Sequence, residues 1–151
     1  MIVYATDITP RLKYILDFIS NEITVEQLLI TDNKNEFSNA ETAKINYSST
    51  RITDNECWIK PHGLLAENKI SEQMIACFEW NDSKAFFKID GDFPFDIFAA
   101  SFYLLSRYEE YLPHEKDMYG RYAHESSLSF KEDFLHLPLI NIWLSDFVKA
   151  L

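Results

Sequence analysis

Glycine and cysteine are scarce, at three and two residues of 151. So few glycines leave no room for a glycine-rich phosphate loop or a collagenous repeat. Cys57 and Cys77 have neither a metal-site spacing nor the number that a disulfide framework needs, which points to a reduced, cytoplasmic setting. Positive charge is also short. Fourteen Lys and Arg stand against 24 Asp and Glu, a formal net charge of −10. Nucleic acid and anionic membrane both call for a cationic footprint, so neither is expected as a partner. No stretch comes near the roughly 18 uninterrupted apolar residues of a membrane span. The start, Met1 to Asp7, lacks the basic segment and apolar run of a secretory signal. No repeat, low-complexity tract or linker breaks the chain, and one α/β domain is expected over residues 1–151.

Catalytic and metal signatures are missing as well. The histidines are His62, His114, His124 and His136, none four residues from another, so no helical zinc pair forms. His136, between two leucines, reads as a packed or capping residue. Asp90, Asp92 and Asp96 alternate around Gly91 without the dozen-residue loop and terminal Glu of a calcium site. No Gly-x-Ser-x-Gly elbow occurs, and His124-Glu125-Ser126-Ser127 is adjacency without triad geometry. No catalytic residue, metal ligand or cofactor is therefore assigned to this chain.

Apolar residues are plentiful, at 47% with 15% aromatic, which excludes disorder and supports a real core. The chain is organised around Asp92 to Pro113. Asp92 is placed to cap, Pro94 suits a first helical turn, and Pro113 closes the segment. Phe95, Ile97, Phe98, Phe102, Leu104 and Leu105 leave almost no polar face, so the helix is expected to be buried. Its end turns polar at Arg107, Glu109 and Glu110.

Before it, Ile2 to Ala5 reads as a buried strand, and Thr9-Pro10 starts a helix carrying Leu12, Ile15, Leu16 and Ile19. Further strands are expected within Val25 to Thr31, at Lys44 to Tyr47 and at Cys57 to Lys60, with a short helix between residues 31 and 42. The β–α–β order implies at least one parallel pair. Met74 to Trp80 and Lys84 to Ile89 flank Asn81-Asp82-Ser83 as a hairpin with a three-residue loop. A last helix begins near Pro138 with Leu139, Ile140, Trp143, Phe147 and Leu151 on one face. The fold class is thus α/β: a small mixed sheet with a β-hairpin, a buried central helix, and flanking N- and C-terminal helices.

Two places can hold a ligand. Arg107 shares a helix face with Glu110 and with Tyr111, and a guanidinium among aromatic and carboxylate groups suits a sugar or a carboxylate-bearing molecule. The simpler account is a helix end where Arg107 makes ion pairs and the tyrosines cover the core rim. Pro61-His62-Gly63, close after Trp58, looks like a loop at a strand end, where α/β ligand sites gather. Trp58 and His62 could stack on a sugar, although a buried Trp and a turn glycine explain them equally well.

Certain segments also carry a resemblance. Ile8 to Ile15, Lys44 to Ser48, Ile59-Lys60-Pro61-His62-Gly63-Leu64-Leu65, Pro94 to Tyr111 and Gly120-Arg121-Tyr122 together resemble the N-terminal, functionally undefined domain of Bacteroidetes polysaccharide-deacetylase-like proteins. Pro94 to Tyr111 is the most specific part. The resemblance implies that a deacetylase barrel follows in the same polypeptide, with an Asp and two His holding a divalent metal to remove N-acetyl groups from sugars. This chain has no Thr-Phe-Asp-Asp run, so none of those residues can be placed here. The apolar ending Phe147 to Leu151 reads as a cut inside a helix. The expected function is a non-catalytic accessory domain of a carbohydrate deacetylase, with the barrel and a carbohydrate as partners. Its ligand-binding residues would be Arg107, Glu110, Tyr111, Trp58, His62 and Arg121. An exposed apolar or aromatic patch including Trp143 or Tyr122 would receive the barrel. The alternative is a domain that itself binds or acts on a sugar or nucleotide-sugar.

Overall fold

A computed structural model describes residues 1–151. Four short strands form a parallel sheet in the order β2-β1-β3-β4: β1 (Ile2–Ala5), β2 (Leu29–Thr31), β3 (Lys44–Tyr47) and β4 (Cys57–Trp58). Helix α1 (Pro10–Glu22) joins β1 to β2, and α2 (Lys34–Asn39) joins β2 to β3. Thr9 caps α1, its hydroxyl accepting from the Leu12 amide at 3.1 Å, with Pro10 at the first helical position. Asn33 caps α2 in the same way.

The strands at the centre are buried on both faces, as a parallel sheet requires. Val3, Ala5, Ile45 and Tyr47 join a core of 29 buried residues, while Ile2 and Tyr4 pack with Phe37 of α2 on the other face. Lys44 is buried on that second face and survives there because its ammonium donates to the Ser38 carbonyl at 2.8 Å.

The antiparallel pairing lies in a separate two-stranded sheet, β5 (Phe78–Trp80) with β6 (Ser83–Ala85). Ser83 pairs with Trp80, so the expected three-residue loop is corrected to two residues, Asn81 and Asp82. Both have positive φ, 45° and 57°, the pair of left-handed residues that matches the twist of a tight hairpin. The edge of β4 is covered by the segment around Gly91, where Ile59 bridges to Gly91 and the Asp92 amide donates to the Trp58 carbonyl at 2.8 Å. A Cβ on Gly91 would stand 2.8 Å from that same carbonyl, so the contact needs glycine.

The central helix is shorter than the sequence implies: α3 runs Ile97–Leu105. Asp96, not Asp92, is its cap, and Pro94 lies ahead of it, where residues 93–96 spend their backbone bonds on the hairpin segment, Asp96 amide to Phe87 carbonyl among them. Seven of its nine residues are buried, Ile97 to Tyr103, as expected of an all-apolar helix. Arg107 takes a left-handed conformation (φ 53°) and ends the helix, and Tyr108–Tyr111 follow as a single 3₁₀ turn. After a long connection come α4 (Leu128–Lys131) and α5 (Leu139–Ala150). Trp143 of α5 is fully buried among Phe86 and Phe95, and its indole N–H donates to the Lys84 carbonyl at 2.9 Å. That corrects the expectation of an exposed Trp143. His136 is exposed, not packed. No helix is long and apolar enough to cross a membrane.

Candidate functional site

The strand order makes a crevice. The chain leaves β1 toward β2 on one side and leaves β3 toward β4 on the other. Their carboxyl ends therefore diverge, and such a switch point is where open α/β sheets take ligands. Between them lies a cavity of about 290 Å³. Thr6 and Asp7 reach it from the end of β1, Tyr47, Ser48 and Ser49 from β3, and Lys60, Pro61 and Gly63 from the loop after β4; Leu12 and Leu65 give apolar surface.

The support beneath this crevice is a buried carboxylate. Asp96 is wholly enclosed and accepts three hydrogen bonds: from the Tyr47 hydroxyl (2.7 Å), the His62 amide (2.7 Å) and the Ala99 amide (2.9 Å). One side chain thus ties α3 to the end of β3 and to the loop after β4. Burial raises the Asp96 carboxyl above its ordinary value against those donors, and burial beside Asp96 lifts the Tyr47 hydroxyl well above its own. Gly63 has φ 117°, a conformation that side chains rarely adopt, and this turns the loop over the cavity.

Trp58 and His62 sit beside the crevice without lining it. The Trp58 indole donates to the Ser48 carbonyl at 2.8 Å, and its ring lies 5.2 Å from the Arg51 guanidinium. The His62 ring stacks on Phe87 with centroids 3.9 Å apart. Asp92 accepts from the Trp58 amide at 2.8 Å and pairs with Arg51.

A second concavity lies at the far end of α3. Arg107 and Glu110 both line a pocket of about 290 Å³ with Glu109, Tyr122 and His124, and Glu109 and Tyr122 also line an adjoining groove of about 860 Å³ with His114 and Lys131. The shared face expected of a helix is replaced by the left-handed turn at Arg107, which still brings Arg107 and Glu110 into an ion pair. Tyr111 is 67% exposed and lines neither cavity. Arg121 pairs with Asp117 at 3.0 Å, lies over Tyr119 and lines neither cavity. The carboxylate at the centre is Glu109, which accepts from the Leu128 amide at 2.8 Å and faces the Tyr103 and Tyr122 hydroxyls at 3.4 and 3.5 Å. Burial raises its carboxyl, and burial with the nearby Glu109 charge pushes Tyr122 up to about 12. The sequence does not tell Glu109 from Glu110, because the partners of neighbouring acids are decided only by the turn geometry.

No group of three or more His, Cys, Asp or Glu side chains is gathered closely enough to hold a metal ion. Both cysteines are free, and burial pushes each thiol up to about 11.

No curated protein and no solved structure matches the chain. A family model does, over residues 1–151. The chain belongs to a family of unknown function, DUF7033.

Proposed function

We propose that this is a non-catalytic accessory domain of a carbohydrate deacetylase of Bacteroidetes type, working in the cytoplasm against a metal-dependent deacetylase domain of the same polypeptide. The observation that carries the reading is the distribution of exposed apolar side chains. Seven of the eleven large ones, namely Tyr111, Met118, Tyr119, Phe130, Leu135, Val148 and Leu151, fall after residue 110. Leu135, 57% exposed, lines a groove with Leu104, Leu137 and Ile140 and, together with the 47% exposed Phe130, an adjoining concavity. Exposed apolar side chains lining adjoining concavities favour a protein partner. The buried Asp96 and the half-buried Glu109 support the same reading, since both are engaged in bonds that hold the fold. The divalent metal belongs to the partner domain.

The test is acetate release from an N-acetylglucosamine oligomer with added divalent metal, measured for the longer protein, its isolated barrel and this chain. The accessory role predicts activity in the longer protein, much less in the barrel, and recovery when this chain is added back. A Phe130→Asp, Leu135→Asp double variant should abolish that recovery. A barrel as active alone as in the longer protein would overturn the reading.

A second reading has one observation in its favour: Arg107, Glu110, Tyr122 and His124 meet in one pocket beside a carboxylate with a raised pKa. It makes this chain itself a sugar- or nucleotide-sugar-acting domain, and acetate release by this chain alone, lost in Arg107→Ala, would select it.

A further inference from the structure

The crevice at the ends of β1 and β3 plays no part in either reading, and its chemistry is distinctive. Asp7 and Lys60 are both exposed at its rim, and neither belongs to any of the six ion pairs of the chain. Thr6 and Ser49 line the same cavity, and their hydroxyls are also without a partner in the chain. The neighbouring polar groups are spoken for: Thr9 donates to the Leu65 carbonyl at 2.6 Å, Ser48 to Asn46 at 2.6 Å, and Tyr47 to Asp96. Four unpartnered polar residues thus line one cavity with a part-apolar floor, beside the Asp96 hydrogen bonds that fix the end of β3 and the loop after β4.

We infer that this crevice binds one neutral polyhydroxylated ring, a single sugar unit carrying a vicinal diol. Three observations lead there. The mix of groups is balanced: the Asp7 carboxylate only accepts, the Lys60 ammonium only donates, and the two hydroxyls do both. A diol, whose hydroxyls donate to the carboxylate while accepting from the ammonium, satisfies that set. A phosphate does not, because the Asp7 carboxylate lines the same cavity and would repel it. The size agrees. The cavity of about 290 Å³ equals roughly ten waters at their share of liquid volume of about 30 Å³ each, which is the scale of one ring and not of a dinucleotide. The floor agrees too, since Leu12, Pro61 and Leu65 offer apolar surface to the C–H face of a ring while the rim takes its hydroxyls.

Such a sugar unit can come as a free monosaccharide or as the end of an oligosaccharide, and the experiment separates them. The amide spectrum of the isotope-labelled chain would be followed during titration with glucose, N-acetylglucosamine, its trimer and inorganic phosphate. The expected result is a saturable shift of Thr6, Asp7, Ser49 and Lys60 amides with at least one sugar and none with phosphate. Asp7→Asn and Lys60→Met should each weaken sugar binding at least tenfold, with the unfolding midpoint unchanged because both side chains are exposed and unpaired. Tighter binding of the trimer would assign the site to a chain end; equal binding would assign it to the free sugar. Phosphate binding that Asp7→Asn strengthens would overturn the inference in favour of an anion site. Sugar shifts at Arg107 to His124, or no shift with any sugar, would overturn it outright. None of these outcomes depends on the deacetylase test, so the two ideas fail separately.

Discussion

The two ends of α3 offer the same pocket volume with opposite economies of hydrogen bonding. At its N-terminal end the support is saturated and the rim is free: Asp96 takes three donors, while Asp7 and Lys60 stand unpaired. At its C-terminal end the polar groups are engaged with one another, Arg107 with Glu110 and Glu109 with Leu128 and the tyrosines. The first arrangement suits a ligand site, because the rim groups have no internal partner to give up on binding and the loops that carry them are tied down by Asp96. The second is what a loop cluster needs to stay folded without a sheet beneath it. The C-terminal pocket also adjoins a groove of about 860 Å³, but the state of the side chains there argues for the crevice.

Breaking the support of the crevice should have the largest effect. Asp96→Ala strands the Tyr47 hydroxyl and two amides in the core and removes a helix cap, a loss on the order of 3 kcal/mol of stability. Denaturant unfolding would measure it, and a loss below about 1 kcal/mol would mean the three bonds are not a structural hub. Next is Gly91→Val. Its Cβ meets the Trp58 carbonyl, a backbone atom that cannot swing away, so the segment covering β4 must shift at a cost of about 1–3 kcal/mol. Amide exchange should rise at Trp58 and Asp92 and leave residues 107–131 unchanged. Glu109→Gln should cost less, about 1 kcal/mol, and act on the other side of the comparison: exchange quickens at Leu128 while the crevice amides hold.

The same two carboxylates give a pH dependence whose sign can be worked out. Asp96 and Glu109 are both raised in the folded state, from 3.8 and 4.5. The folded form therefore holds protons that the unfolded form has released, and stability falls as pH rises through the folded values. The contribution is complete below the ordinary values and lost above the raised ones. At Asp92 burial raises the carboxyl, but Arg51 and the Trp58 amide together outweigh it and leave it lowered, so it acts oppositely and at lower pH. Unfolding midpoints across the acid range should show a decline with rising pH that Glu109→Gln flattens, since the amide does not titrate. An unchanged slope would place Glu109 outside this linkage.

Much of this architecture is legible in the sequence, and the failures share a cause. The strands, the α1 start at Thr9-Pro10, the hairpin and the buried helix follow from local patterns of apolar residues and caps. Pro94 misled because it is equally at home in a first helical turn and in the extended segment that bonds to Phe87 and Ile89. Trp143 lies on the expected apolar face of the last helix, but a large aromatic there looks the same in sequence whether it meets a hairpin of its own chain or a docking partner. The crevice was half visible. Pro61-His62-Gly63 marked a strand end, but Thr6-Asp7 and Ser48-Ser49 are ordinary polar residues until the order β2-β1-β3-β4 sets them side by side. Strand order is a long-range fact, and short-range patterns do not encode it.

The smallest expected effect belongs to the residue the sequence singles out most. Arg107→Ala removes an exposed ion pair with Glu110, which salt and solvent screen, so stability should change by no more than about 0.5 kcal/mol. The backbone adds a second consideration, because Arg107 holds a left-handed conformation at φ 53°. Glycine adopts that conformation without strain, so Arg107→Gly should match or exceed the wild-type stability even though it deletes the same side chain. Comparing the two variants separates the ion pair from the turn. If alanine and glycine were equally and strongly destabilising, the guanidinium would be holding the groove together, and the contrast between the two ends of α3 would weaken.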